Sequence, residues 1–98
     1  MNEFEKLISG EKPVLVDFFA TWCGPCKMMS PVLEDVKKQV GDDATIVKID
    51  VDKNQELAAM YGIQAVPTLM LFKCGENVWR ASGVQRGTDL VALLQQYK

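Results

Sequence analysis

Val14-Leu15-Val16-Asp17-Phe18-Phe19, running through Ala20-Thr21 into Trp22-Cys23-Gly24-Pro25-Cys26-Lys27, decides how the rest of the chain is read. The first six residues are β-branched, aromatic or leucine, apolar on both faces except for Asp17. Such a run suits a central strand covered on both sides. From Pro25 to Val40 a helical face repeats through Met29, Val32, Leu33, Val36 and Val40, and Gly41 stops it. Pro31 lies inside that helix, where its missing amide donor predicts a kink. The two cysteines therefore fall where a buried strand hands over to a helix.

The same alternation continues outward. Residues 3–9 read as a short helix with Asn2 as N-cap, Phe4, Leu7 and Ile8 on one face, and Gly10 as its end. Thr45 to Val51 is the next strand, and Asn54 caps a helix that reaches Tyr61 and closes at Gly62. Thr68–Lys73 and Asn77–Ser82 form a hairpin around Cys74-Gly75-Glu76. Thr88 caps a last helix whose Leu90, Val91 and Leu94 face inward. The order α-βαβ-α-ββ-α, with one crossover and one hairpin, predicts an α/β fold: a mixed sheet with helices on both faces, in a single domain over 1–98.

Composition bounds the function. With 98 residues, 48% hydrophobic and 24% charged, the chain has ordinary globular composition and is not disordered. A net charge of −2 without any cationic run argues against nucleic acid as a partner. Every apolar stretch falls short of the ~18 residues that a bilayer span needs, so no membrane partner is expected. The polar, mixed-charge start Met1-Asn2-Glu3-Phe4-Glu5-Lys6 is unlike a secretory signal, which points to the cytoplasm. Three cysteines are too few for a disulfide-stapled scaffold. The sequence has no histidine, which removes the usual general base and the commonest zinc ligand. Chemistry is left to Cys, carboxylates, Lys and backbone groups.

Cys23 and Cys26 supply it. Helical i and i+3 positions place Cβ atoms roughly 5–6 Å apart, close enough for a disulfide to open and close with little backbone movement. Cys23, ahead of the first turn, meets free amides and the positive end of the helix dipole; Cys26, one turn in, is expected to be the less exposed. A dipole worth at most ~2 kcal/mol lowers a thiol pKa by about 1.5 units. Because nucleophilicity falls with pKa, the net gain in rate is only about threefold. Proximity weighs more: Cys26 attacking a mixed disulfide on Cys23 is intramolecular, and effective molarity supplies several kcal/mol.

Trp22-Cys23-Gly24-Pro25-Cys26-Lys27 after Val14-Leu15-Val16-Asp17-Phe18-Phe19-Ala20, with Ala65-Val66-Pro67-Thr68 ahead of a strand, closely resembles the thioredoxin family over nearly the whole chain. The resemblance implies the thioredoxin fold and a protein-disulfide reductase that uses no bound cofactor or metal. It makes Cys23 the attacking nucleophile and Cys26 the resolving thiol, with Gly24-Pro25 between them as in the family's reductants. It matches Asp17 to a buried aspartate that shuttles a proton for the second cysteine, and Lys48 to the lysine beside it. Desolvation in an apolar strand independently predicts a raised pKa for Asp17.

Pro67 matches a cis proline whose preceding residue, Val66, hydrogen-bonds an extended substrate, and Gly83 a glycine that keeps the groove open. Trp22, Gly62, Ala65 and Val66 complete an apolar docking surface. Implied partners are an NADPH-dependent flavoprotein reductase and targets such as peroxiredoxins, methionine sulfoxide reductase or ribonucleotide reductase, met by a monomer. Two departures stand out. Fewer residues precede Asp17 than in longer members, so the usual first strand is missing and a four-stranded sheet is expected. Phe19 also stands where many relatives have a second Trp.

Other readings stay open beside these. Cys23 and Cys26 could be half a zinc site, although only Cys74 remains as a further soft ligand. Asp17 could be a strand-end carboxylate reaching solvent, and Lys48 a merely solvated side chain. Cys74 reads as an exposed turn residue or a regulatory thiol. Met28 and Met29 read as core and rim packing, and Tyr61 and Trp79 as packing residues. At the level of function, the alternatives are a binding module whose redox cycle is secondary, and an oxidant or isomerase.

Overall fold

A computed structural model describes residues 1–98 and places Val14–Phe19 (β1) inside the sheet, which accounts for its composition. The sheet has four strands in the order β2-β1-β3-β4, where β2 is Thr45–Asp50, β3 Thr68–Lys73 and β4 Glu76–Ser82. β1 pairs parallel with β2 and antiparallel with β3, and β3 pairs antiparallel with β4. The four-stranded mixed sheet expected from the order of elements is therefore present.

Alternate residues of β1 and β3 feed two cores. Leu15, Leu69 and Leu71 pack with Met29, Leu33, Val36 and Val40 of α2 (Gly24–Val40) and with Leu90 and Leu94 of α4 (Gly87–Tyr97). Val14, Val16, Phe18, Met70 and Phe72 point the other way, against Ile8 and Phe4 of α1 (Glu3–Ile8) and Leu57 of α3 (Gln55–Met60). Each large side chain buried in this way contributes roughly 1.5–3 kcal/mol. Tyr61 fills the space between Phe4, Phe18 and Phe72, with ring centroids 5.5–6.3 Å apart. Of the adjacent methionines, Met29 is core and Met28 is 62% exposed, so only the first packs inside.

Several local expectations are corrected. α4 begins at Gly87 with Arg86 at the N-cap, and Thr88 lies inside the first turn; the Arg86–Asp89 ion pair occupies the surface there. Asn54 stands at the N-cap of α3 but makes no side-chain cap, because its amide donates instead to Asp50 O at the end of β2. Asn2 does cap α1, accepting from Glu5 N at 2.8 Å. α2 runs through Pro31 as one helix and ends at Gly41, as expected.

The hairpin turn is shorter than Cys74-Gly75-Glu76. Lys73 pairs directly with Glu76, leaving two central residues, Cys74 (φ 53°) and Gly75 (φ 83°). Positive φ at both positions is what the twist of a tight hairpin demands. Further along, a bulge separates the Leu71–Trp79 and Phe72–Asn77 pairs, and the Asn77 amide bridges it by donating to Leu71 O and Trp79 O.

Cysteine with its Cβ is strained in the left-handed region, where asparagine is tolerated. Cys74→Asn should therefore stabilise the chain by about 0.5–1 kcal/mol, raising the thermal midpoint by several degrees. Equilibrium urea unfolding checks this, and an unchanged or lower midpoint contradicts the turn assignment.

Candidate active site

α2 starts just beyond the end of β1, and its first turn is built around the two cysteines. Cys23 is the N-cap, its Sγ accepting the Cys26 N–H at 3.1 Å, and Pro25 occupies the first turn, where no amide donor is needed. The cap position puts sulfur where free amides and the helix dipole favour negative charge. The two sulfurs are bonded to each other with Cα atoms 5.3 Å apart, so this is the oxidised state of the pair.

The expected difference in exposure is absent: Cys23 is 4% and Cys26 3% exposed. Cys23 is covered because it tucks against the neighbouring turn, with its Sγ 3.6 Å from Val66 O. The two thiols differ in surroundings instead. Cys26 lines a cavity of about 180 Å³ with Phe19, Ala20, Thr21, Lys27, Ser30 and Lys48. On the outer side Gly24 and Pro25 are exposed, and a Cβ added at Gly24 would meet nothing within 4 Å. A partner protein can approach the bridge from there.

The Val66–Pro67 bond is cis, and Pro67 O accepts the Gly83 N–H at 2.8 Å. Gly83 has φ 88° with open space around the missing Cβ, so backbone conformation, rather than crowding, explains the glycine. Trp22 is 70% exposed, yet it is anchored by its indole N–H donating to Asp52 Oδ2 at 2.9 Å. Together with Val51, Ile63, Gln64, Ala65 and Val66 it lines a groove of about 400 Å³ beside the cysteines. Gly62 is not part of that lining; its carbonyl accepts from Arg80.

Asp17 is wholly buried on the α2 side of β1, and neither carboxylate oxygen has a hydrogen-bond partner. Burial raises its pKa from 3.8 to about 6, against a smaller lowering by the Lys48 charge. The solvent-reaching reading of Asp17 therefore fails. Lys48 is its register partner on β2 but makes no ion pair with it. The Lys48 ammonium instead donates to Ser30 Oγ and lies 5.0 Å from the centre of the Phe19 ring. No group of three or more Cys, Asp or Glu side chains is placed to hold a metal ion.

Asp52, Ser30, Ile63 and Gln64 were missed in the sequence. Asp52 carried a usable signal: Phe19 and Asp50 are register partners in a parallel pair, so the residues just past each strand end must meet. Ser30, 18 residues from Lys48, offered none.

A redox-closed cysteine pair at a helix N-terminus, beside a cis proline and an apolar groove, defines a thiol–disulfide exchange protein. The thioredoxin family profile matches residues 1–96. A thioredoxin-like protein of Synechocystis is 50% identical over 98% of this chain and 91% of its own length. The thioredoxin of Bacillus subtilis is 47% identical over 91% of this chain and 86% of its own. Among solved structures, a mutant thioredoxin from Halobacterium salinarum superposes with a TM-score of 0.89 at 45% identity, covering 99% of this chain and 84% of that one. The chain belongs to the thioredoxin family and carries that family's redox-active pair, the equipment of a protein-disulfide reductase.

The raised pKa of Asp17 has a consequence for stability. The folded chain keeps the proton up to about pH 6, whereas the unfolded chain releases it near 3.8. Stability from this group is thus greatest below the lower value and is lost as pH rises through the upper one. Asp17→Asn removes the dependence. Its stability relative to the parent should rise by about 3 kcal/mol between pH 4 and pH 8, as seen in urea unfolding at each pH. A constant difference across that range contradicts a buried, partnerless carboxylate.

Proposed function

We propose that the chain reduces disulfides in target proteins, with Cys23 as nucleophile, Cys26 as resolving thiol and Asp17 as the proton acceptor for Cys26. The placement of Cys23 as the N-cap of α2, with its sulfur taking the Cys26 amide, carries the assignment. The Cys23 thiolate attacks one sulfur of a substrate disulfide; that S–S bond breaks, and the departing sulfur takes a proton. The Cys26 thiol then loses its proton and attacks Cys23 Sγ. The second substrate thiol is released and the Cys23–Cys26 disulfide closes. Two electrons and two protons have passed to the substrate.

Asp17 suits the second step by its proton affinity. Moving a proton from a thiol of pKa ~8.5 to an ordinary aspartate costs about 6 kcal/mol. With Asp17 raised to about 6, the cost falls to about 3 kcal/mol. Lys48, on the same side of the sheet, limits how far burial raises that value.

Substrate binding is assigned to Trp22, Gly24, Pro25, Val66, Pro67 and Gly83. The Val66 N–H donates to no backbone carbonyl, which leaves it for an extended substrate strand in the groove. Val84, 46% exposed, extends the apolar rim beyond Gly83. A flavoprotein reductase using NADPH would restore the dithiol. Targets would include peroxiredoxins; one structural neighbour, with TM-score 0.87 and 34% identity, concerns a yeast mitochondrial 1-Cys peroxiredoxin resolved via glutathione and thioredoxin systems. No helix is long and apolar enough to cross a membrane, and we place the reaction in the cytoplasm.

Cys26→Ser should trap the substrate on Cys23 as a mixed disulfide and reduce insulin-disulfide turnover by more than about 10³-fold. Biological rescue by Cys26→Ser equal to the parent's would leave a binding module as the better reading. Equilibration with glutathione at a cytosolic poise should leave a dominant disulfide form, which contradicts an oxidant role; a pair held almost wholly as dithiol would favour an oxidant.

A further inference from the structure

The ammonium of Lys48 has two candidate acceptors on the α2 side of the sheet. One is the carboxylate of Asp17, its register partner across β1 and β2. The other is Ser30 Oγ on α2, and the structure shows the bond to serine. This leaves both Asp17 oxygens without a partner in a fully buried site. A buried carboxylate ordinarily recruits any cation in reach, since leaving it unpaired costs several kcal/mol. Lys48 is exposed, so its ammonium stays hydrated at the surface, and Ser30 is the one side chain it donates to there.

We propose that Ser30 is a positioning residue: its hydroxyl holds the Lys48 ammonium against the Phe19 ring at the mouth of the Cys26 cavity, and so keeps it off the Asp17 carboxylate. Three observations converge on this arrangement. Ser30, Lys48 and Phe19 all line the cavity that reaches Cys26, whereas Asp17 does not. The ammonium is satisfied from two directions, by the hydroxyl and by the ring face. The alternative, an ion pair at the bottom of the site, is absent.

The remaining charges nearby do not replace the serine. Around Asp17, β3 offers Leu69 as register partner, and α4 presents Leu90 and Leu94, all apolar. On β2, Asp50 lies one register pair beyond Phe18–Ile49, opposite Phe19. On α2, Lys27 shares the cavity, while Glu34, Lys37 and Lys38 line the outer groove with Lys48. Of these, Lys37 is committed to Gly41 O and Ala44 O. Glu34 and Asp50 are the other carboxylates near Lys48 to which it could turn.

The function of the device rests on the reading of Asp17 as proton acceptor. An ion pair with Lys48 would pull the aspartate back toward ordinary acidity and weaken it as a base for Cys26. The test is the titration of Asp17, followed by carbon NMR of the labelled carboxyl in the full-length reduced protein, alongside the pH dependence of insulin reduction. Ser30→Ala should lower the Asp17 midpoint by about one unit or more, Ser30→Thr should restore it, and Ser30→Ala should have no effect on a Lys48→Met background. An unmoved midpoint, as when Lys48 turns to Glu34, overturns the proposal. So does an equal shift in the Lys48→Met background. If the midpoint falls while the pH–rate profile stays, Ser30 does position Lys48, and it is the role of Asp17 as base that is lost.

Discussion

The hydrogen bond from the Cys26 amide to Cys23 Sγ ties the molecule's chemistry to its fold. A helix N-terminus presents amides that need acceptors, and this helix meets that need with the sulfur of its own cap. Whatever sulfur serves as cap is held at the positive end of a 17-residue helix and one turn from a second sulfur. The sheet then fixes where that helix can begin. β1 is central, and α2 starts as soon as the chain leaves it, so the cysteine pair must lie at the C-terminal edge of the strands. The cis Val66–Pro67 turn enters β3, which runs antiparallel beside β1, and so reaches the same edge.

Two kinds of residue share that edge, and they follow opposite rules. Most of the core obeys ordinary burial: apolar side chains alternate between the two faces of the sheet and fill both. Asp17 breaks the pattern. It takes an interior position of the central strand with neither carboxylate oxygen hydrogen-bonded, which costs free energy. Ser30 and Phe19 occupy the nearby cation, and the apolar walls raise the carboxyl's proton affinity toward that of a thiol. Trp22 shows the complementary case, an exposed aromatic surface held in place by a carboxylate at its polar end.

The element order, the central strand, the cysteine-bearing helix and the alternating core were legible in the sequence, because each is a local pattern. Period-two and period-3.6 hydrophobicity survive in any context where one face must be buried. The same holds for Asn2, whose cap depends on a backbone amide three residues on. Capping differs from the sequence reading at Thr88 and Asn54: α4 starts at Gly87, behind Arg86, and the Asn54 amide is drawn to Asp50 O at the end of β2. The hairpin was recognised, but its length depended on the register between β3 and β4.

From its own residues the chain determined a redox-competent pair at a strand–helix junction and a carboxyl that burial would make basic. The third dimension decided what surrounds them. The anchoring of Trp22 by Asp52, the lodging of Lys48 on Ser30 and the tucking of Cys23 against Val66 all join residues 18 to 43 positions apart. Such contacts have no periodicity to betray them, for they follow from which strands lie side by side and in what register. Near-equal burial of the two cysteines has the same origin: helix position alone distinguishes them, and a turn contributed by the other half of the chain makes them alike.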